Sequence, residues 1–161
     1  MAAVRHTQMY YSEMVSDEEP VPPPAVDTRA PVAELSRREL GELGEDLAAA
    51  HLAELGLIVI ERNYRSSEGE ADIVAIDEDE GLVVLVEVKT RRRSTLDDGT
   101  YAEEAVDGEK RRRYRRIAAA YLMDNFPTHA IRFDVIAVTV PDEGAIEIHH
   151  VPGAFDWDAS R

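Results

Sequence analysis

The chain has 161 residues, of which 44% are hydrophobic and none is cysteine, and its formal net charge at pH 7 is −15. This length supports one domain with a packed core, and the lack of cysteine excludes disulfides, thiolate metal sites and cysteine nucleophiles. No apolar run is long enough to span a membrane, and there is no N-terminal hydrophobic signal core. We therefore expect a cytoplasmic protein with no membrane partner.

The N-terminal segment differs in composition from the rest of the chain. Residues 1–34 contain the run Asp-Glu-Glu-Pro-Val-Pro-Pro-Pro, which starts at Asp17, and they have no apolar periodicity. Such a segment cannot bury enough apolar surface to offset the entropy lost on ordering. We therefore divide the chain into a disordered acidic tail at 1–34, one domain at 35–151 and a C-terminal tail at 152–161.

A first helix is predicted at the start of the domain. Ser36 and Glu39 have the spacing of a capping box, and leucines then recur at helical intervals, so we expect a helix over residues 37–55. Gly41 and Gly44 fall near its apolar face. Glycine in a helix costs roughly 1 kcal/mol relative to alanine, which indicates that this helix lies close against a sheet.

The remaining elements follow from alternating apolar residues and from turn residues between them. Strands are expected at 57–65, 70–76, 82–90, 131–140 and 145–151, with a loop at 91–104 and a second helix at 105–125.

The second and third strands are predicted to form a hairpin with a defined register. A four-residue turn at 78–81 makes the numbers of facing residues sum to 159. Asp72 then faces Glu87, and Glu70 faces Lys89. Because side chains alternate along a strand, we expect these four residues to lie on one face of the hairpin.

Two facing carboxylates beside apolar strand interiors require a positive charge between them. One interpretation is an ion-pair network in which Lys89 and Glu70 supply the balance. The other is a hard divalent cation held by Asp72 and Glu87, since Mg²⁺ binds one or two carboxylates and takes its other ligands from water and phosphate. Such an ion with a nearby ammonium is typical of metal-assisted phosphodiester hydrolysis.

Several short motifs occur together in a fixed order. They are Gly41-Glu-Leu-Gly44-Glu45, Arg62-Asn63-Tyr64-Arg65, Gly69-Glu70-Ala71-Asp72, Glu87-Val88-Lys89-Thr90-Arg91, Ala105-Val106 followed by Lys110, and Arg132-Phe133-Asp134-Val135. Over about residues 37–140, this series resembles the bacterial YraN-like family of predicted endonucleases. That family lies in the restriction-endonuclease-like superfamily, which includes archaeal Holliday-junction resolvases.

The resemblance implies an α/β fold with a restriction-endonuclease-like αβββαβ core, in which helices flank a mixed central sheet. It also implies that Asp72, Glu87 and Lys89 are the catalytic residues, and it suggests Glu45 as a further metal ligand beside Asp72 and Glu87. A solvated glutamate at the edge of the apolar stripe is an equally good interpretation of Glu45. The acidic tail and the strongly negative net charge are not part of the family pattern.

Positive charge is concentrated in one part of this acidic chain. Residues 89–116 hold ten of the eighteen lysines and arginines against six acidic residues. That excess is typical of a surface that contacts phosphate, although a solvated helix face would give the same pattern. The residues expected to contact nucleic acid are Arg91, Lys110, Arg111 and Arg113.

Only two lysines, Lys89 and Lys110, occur beside sixteen arginines, which hints that both positions need a compact cation. Lys110 is placed on the core-facing side of the second helix, so its amine either meets a substrate phosphate or extends to solvent. Asp134 is interpreted as structural. The pair His149 and His150 is interpreted as too isolated for a zinc site.

The function expected from these features is endonucleolytic cleavage of DNA, including branched or damaged DNA, with Mg²⁺ or Mn²⁺ as cofactor. The alternatives are a non-catalytic nucleic-acid-binding or scaffold domain of the same fold, and a structural domain whose hairpin charges only pair. A homodimer is left open as the assembly state.

Overall fold

The order of helices and strands agrees with the apolar patterns of the sequence. A computed structural model of the protein describes residues 21–22, 34–93, 108–125, 130–142 and 144–154. Its elements are α1 (Arg37–Glu54), β1 (Ile58–Ser66), β2 (Gly69–Asp77), β3 (Leu82–Arg93), α2 (Gly108–Asp124), β4 (Ile131–Pro141) and β5 (Glu147–Val151). No helix within these described ranges has the length and apolar character needed to cross a membrane.

The five strands form one mixed sheet in the order β1-β2-β3-β4-β5. Neighbouring strands are antiparallel except β3 and β4, which are parallel. A parallel connection needs a crossover, and α2 lies between these two strands in the chain. The predicted α/β class and αβββαβ order are confirmed, and the mixed sheet is consistent with a restriction-endonuclease-like core.

The sheet separates two apolar layers. Residues of α2 pack on one face with Tyr64, Val83, Leu85 and Phe133. Residues of α1 pack on the other face with Ile73, Ala75, Val84, Val86 and Ile136. The helices therefore flank the sheet, as the resemblance implied, and a side chain of β3 belongs to one layer or the other according to its position in the alternation.

Some predicted boundaries differ from the structure. The predicted loop at 91–104 is wrong for Arg91 to Arg93, because β3 continues through them in unbroken pairing with β4 as far as Pro141. The predicted start of the second helix at 105 lies outside the described residues. Within the predicted acidic tail, the amide of Val21 donates a hydrogen bond to the carbonyl of Val59 at 3.1 Å.

Helix α1 begins and packs as its sequence predicts. The Ser36 hydroxyl accepts from the Glu39 amide, and the Glu39 carboxylate accepts from the Ser36 amide. Gly44 is buried, and a Cβ added there would overlap the side chain of Thr90 on β3. The same addition at Gly41 would meet nothing within 4 Å. Close approach to the sheet therefore explains Gly44 but not Gly41.

Asp134 is a buried carboxylate with a full set of hydrogen-bond donors. It is 1% exposed, and it accepts two hydrogen bonds from Arg132, one from His150 and one from the Gly153 amide, at 2.9 to 3.1 Å. Burial alone would raise the pKa of Asp134, but these donors outweigh it and hold the pKa below its usual value. Arg132 also donates to Asp77. The hydrogen bonds of Asp134 and Arg132 therefore join β4 to β2 and β5.

A histidine pair extends this group to α1. His51 Nε2 and His150 Nδ1 lie 3.3 Å apart, and the other nitrogen of His150 contacts Asp134. Folding brings His150 to a helix residue 99 positions away, a contact that the sequence did not indicate. Burial, and then the neighbouring His150, lower the pKa of His51. The folded state favours neutral His51. The free energy of unfolding should therefore fall as the pH drops below 6.5, the pKa of His51 in the unfolded chain.

The two helical glycines offer a matched test of the contact between α1 and the sheet. Gly41→Ala should raise the free energy of unfolding by about 0.5 to 1 kcal/mol, because it only removes backbone freedom. Gly44→Ala should lower it by about 1 to 3 kcal/mol, because the methyl group overpacks against Thr90. Urea unfolding of both variants checks this expectation, and equal effects would contradict the close approach.

Asp134→Asn should destabilise the fold by about 3 kcal/mol, because it leaves Arg132 and His150 without the carboxylate that their hydrogen bonds need. Glu80→Gln is the control: Glu80 contacts the same arginine but is 59% exposed, and its loss should change stability by less than about 1 kcal/mol. Thermal unfolding at neutral pH separates the two variants. Comparable effects would mean that burial of the network contributes little.

Candidate active site

The predicted hairpin register is confirmed where the backbones pair. The pairs run from Asp77↔Leu82 to Ile73↔Val86, and each sums to 159. Backbone pairing between the two strands stops there. At the next position, the carboxylate of Asp72 accepts the amide of Val88 at 2.6 Å. A side chain thus replaces the backbone acceptor and ties the two arms of the hairpin together.

The alternation of β2 is interrupted at Asp72. Ile73 packs in the α1 layer, whereas Ala71 packs in the α2 layer. On β1, Asn63 lies between the residues that pair with Ile73 and Ala71, and its φ is 56°. A positive φ is uncommon outside glycine, and asparagine tolerates it better than most residues. This irregularity accompanies the turn of the Asp72 side chain towards the β3 backbone.

Glu87 and Lys89 lie on the α2 side of the sheet. The pairing of β3 with β4 is regular, and Val83 and Leu85 belong to the α2 layer, so Glu87 and Lys89 continue that side. Lys89 forms an ion pair with Glu87. The Lys89 side chain is 47% exposed and that of Glu87 is 17% exposed.

The predicted contact between Glu70 and Lys89 is wrong. Glu70 pairs with Arg65 of β1, at 3.4 Å between the carboxylate and the guanidinium. Backbone pairing between β2 and β3 stops at Ile73, whereas Glu70 lies directly opposite Arg65 in the register of β1 and β2. Lys89 therefore pairs with Glu87, one of the two carboxylates that the sequence predicted as metal ligands, and not with Glu70.

Asp72 is poorly balanced by positive charge. The pKa of Asp72 is raised to about 6, mainly by burial and also by the negative charges of Glu87 and Glu45. The Val88 amide and the more distant Lys89 act in the opposite direction but do not compensate. These carboxylates therefore lie close enough to repel one another, in surroundings where desolvation already disfavours the ionised form.

Glu45 has a structural partner. Its carboxylate lies 3.4 Å from Arg62 of β1, and the neighbouring Asp46 lies 2.7 Å from the same guanidinium. Within the described part of the chain, no three acidic or histidine side chains are grouped closely enough to hold a metal ion. The negative charge of Glu45 thus raises the pKa of Asp72, but the Glu45 carboxylate contacts Arg62.

Tyr114 was missed as a site residue by sequence reasoning. Its hydroxyl hydrogen-bonds the carboxylate of Glu87, and burial, followed by the charge of Glu87, raises the pKa of Tyr114 well above its usual range. Tyr114 is buried on the side of α2 that packs against the sheet. Nothing in the sequence indicated that a strand carboxylate would meet this helix position.

The basic residues lie around the same region. Arg111 and Arg113 are exposed on α2, and Lys110 is half-buried. The space over Gly69, at the start of β2, is filled by Arg113 and Ile117. Arg91 follows Lys89 by two positions on β3 and so shares its side of the sheet. The first half of α2 therefore lies beside the parts of β2 and β3 that carry Asp72 and Glu87.

Comparison with known proteins identifies the family. Residues 44–138, which include Asp72, Glu87, Lys89 and Lys110, match the family described as "Uncharacterised protein family UPF0102". The chain belongs to the UPF0102 family. This agrees with the resemblance to the YraN-like family that the motifs indicated.

Bacterial relatives support the assignment. The chain is 42% identical to a UPF0102 protein of Frankia casuarinae over 72% of this chain and 95% of that protein. It is 46% identical to one of Mycolicibacterium smegmatis over 76% of this chain and 97% of that protein. It is 44% identical to one of Moorella thermoacetica over 75% and 98%, respectively. The names of these UPF0102 proteins state no activity.

The raised pKa of Asp72 predicts the pH dependence of its substitution. The folded state keeps the Asp72 proton up to about pH 6, whereas the unfolded chain releases it near 3.8, so ionisation in this pH range destabilises the fold as pH rises. Asp72→Asn should therefore match the wild type near pH 4 and be more stable above pH 6, by about 1 to 2 kcal/mol after screening. Urea unfolding across this range checks it. A large loss of stability at pH 7 would instead indicate a structural ion pair.

Proposed function

We propose that this UPF0102 protein is a divalent-metal-dependent endonuclease that hydrolyses phosphodiester bonds in DNA. The observation that carries the proposal is the poorly balanced carboxylate of Asp72, held at the Val88 amide and repelled by Glu87, beside a helix that presents arginines. Uncompensated negative charge is expected where a cation is to bind. The carboxylate of Asp134, in the same sheet, already has a full set of hydrogen-bond donors, so its charge does not call for a cation.

The side chains fit a hard cation. Asp72 and Glu87 are both oxygen donors of the kind that Mg²⁺ and Mn²⁺ prefer, and we assign them as its ligands. Glu45 is assigned as a third ligand that would first have to leave Arg62. When bound, the ion would lower the pKa of a water molecule and screen the charge of the phosphodiester.

Lys89 is assigned the role of orienting the attacking water and neutralising charge on the phosphate. Its amine is paired with Glu87 and is half-exposed, so it lies at the entrance of the site on a flexible stem. A compact ammonium can approach a phosphate oxygen more closely than a guanidinium, whose planar fork needs more room. This role explains why lysine stands at this position in an arginine-rich chain.

The basic residues are assigned to the DNA backbone. Arg91, Lys110, Arg111 and Arg113 lie beside the site and would contact phosphates without reading bases. A local positive surface on a chain of net charge −15 confines nucleic acid to one face, because the rest of the surface repels it. Branched and damaged DNA are included among the proposed substrates.

The proposal predicts a distinct pattern of cleavage in site variants. With Mg²⁺ or Mn²⁺, Asp72→Asn, Glu87→Gln and Lys89→Ala should each lose at least about 100-fold in cleavage rate, because each removes a group that acts in the transition state. The carboxylate changes should also weaken Mn²⁺ binding, whereas Lys89→Ala should not. Lys89→Arg should restore little activity. The measurement is a cleavage screen of linear, single-stranded, flapped and four-way DNA, with calorimetric titration of Mn²⁺.

Glu70→Gln is the matched control. Glu70 lies on the same strand as Asp72 but pairs with Arg65, so its loss should leave cleavage and Mn²⁺ binding unchanged. If the wild type binds DNA but neither Mn²⁺ nor Mg²⁺, the protein is a non-catalytic nucleic-acid-binding domain. If it binds neither ion nor DNA, its hairpin charges pair for structural reasons only.

A further inference from the structure

Among the described residues, two donors of different character contact Glu87. One is the amine of Lys89, on an exposed and flexible stem. The other is the hydroxyl of Tyr114, which reaches it from α2. A lysine can leave the carboxylate when another cation or a phosphate arrives. The tyrosine hydroxyl is carried by a buried ring that is packed between α2 and the sheet.

The Tyr114 ring is fixed by its surroundings. It is 6% exposed and belongs to the apolar layer between α2 and the sheet. Its ring meets Phe133 of β4 edge-on, at 6.0 Å between ring centroids and an interplanar angle of 60°. The hydroxyl is the only polar atom of this side chain, and when it is buried it needs a partner. Glu87 is that partner, so the hydroxyl and the carboxylate constrain each other.

The hydroxyl is the donor in its contact with Glu87, because a carboxylate offers only acceptors. It therefore does not compete with the carboxylate for a cation. Hydrogen bonds from neighbouring groups commonly orient the residues that bind a metal. A ligand held in one orientation loses less freedom on binding than one that rotates.

We propose that Tyr114 is a positioning residue, which holds the Glu87 carboxylate in the orientation that a divalent cation requires and aligns α2 with the site. The inference rests on the proposed nuclease function. Because Arg113 precedes Tyr114 directly, the helical turn that holds Glu87 also carries a guanidinium expected to contact DNA. The metal ligand and the DNA-binding surface are therefore joined through one side chain.

A second tyrosine on the same helix offers a matched control. Tyr121 is 3% exposed, two turns after Tyr114, and packs in the same layer. Its ring meets Tyr64 of β1 at 5.1 Å between centroids, so it belongs to the part of the layer under β1 and not to the part beside Glu87. Tyr121→Phe and Tyr114→Phe both delete one buried hydroxyl and keep the ring.

The test is Mn²⁺ affinity, measured by calorimetry on the full chain, together with thermal unfolding and cleavage. Tyr114→Phe should weaken Mn²⁺ binding about 10-fold or more, and raising the Mn²⁺ concentration should restore part of the cleavage rate. Tyr121→Phe should bind Mn²⁺ as the wild type does. DNA affinity without divalent ions should be the same in all three proteins, because the residues proposed to contact DNA are Arg91, Lys110, Arg111 and Arg113, which all three retain.

The outcomes separate this proposal from the proposed function. A wild-type protein that binds Mn²⁺ and cleaves DNA, with Tyr114→Phe unchanged in both, overturns the positioning role and leaves the nuclease intact. Equal losses of Mn²⁺ affinity in the two tyrosine variants would show a general effect on packing and would also overturn it. A wild-type protein that neither binds Mn²⁺ nor cleaves overturns both proposals.

Discussion

The hydrogen bond from the Val88 amide to the Asp72 carboxylate is the interaction on which the rest of the candidate site depends. It lies where backbone pairing between β2 and β3 ends, and it uses a side chain to continue the connection. A carboxylate that accepts a backbone amide in a half-buried position is held in place more firmly than one at the surface. Because Val88 lies between Glu87 and Lys89, the same bond keeps these two residues next to Asp72.

Two carboxylates in this sheet show how partners decide the role of a buried charge. Asp134 accepts hydrogen bonds from Arg132, His150 and a backbone amide, and its pKa lies below the usual value. Among the described residues, Asp72 accepts one backbone amide and lies near the negative charges of two other carboxylates, and its pKa is raised to about 6. The first arrangement is complete and stabilises the junction of three strands and a helix. The second is incomplete, which is typical of a site that binds a cation.

Helix α2 combines packing and charge in one element. Its inner face fills the apolar layer against the sheet, while Arg111 and Arg113 are exposed on its outside. Contact of Arg113 and Ile117 with Gly69 sets the helix against the start of β2, and Tyr114 sets it against Glu87. Positive charge therefore accumulates beside the carboxylates in a chain that is otherwise strongly acidic, where it can direct an anionic partner to this face alone.

The sequence by itself determined the order of elements, the α/β class, the capping box at Ser36 and the register of the β2–β3 hairpin, because apolar periodicity and turn length are local properties. It did not determine that the alternation of β2 breaks at Asp72, that Glu70 pairs with Arg65, or that Tyr114 and His51 reach Glu87 and His150. Those contacts join positions from 5 to 99 residues apart. They depend on how strands splay and where helices come to rest on the sheet, which only the packing of the whole domain decides.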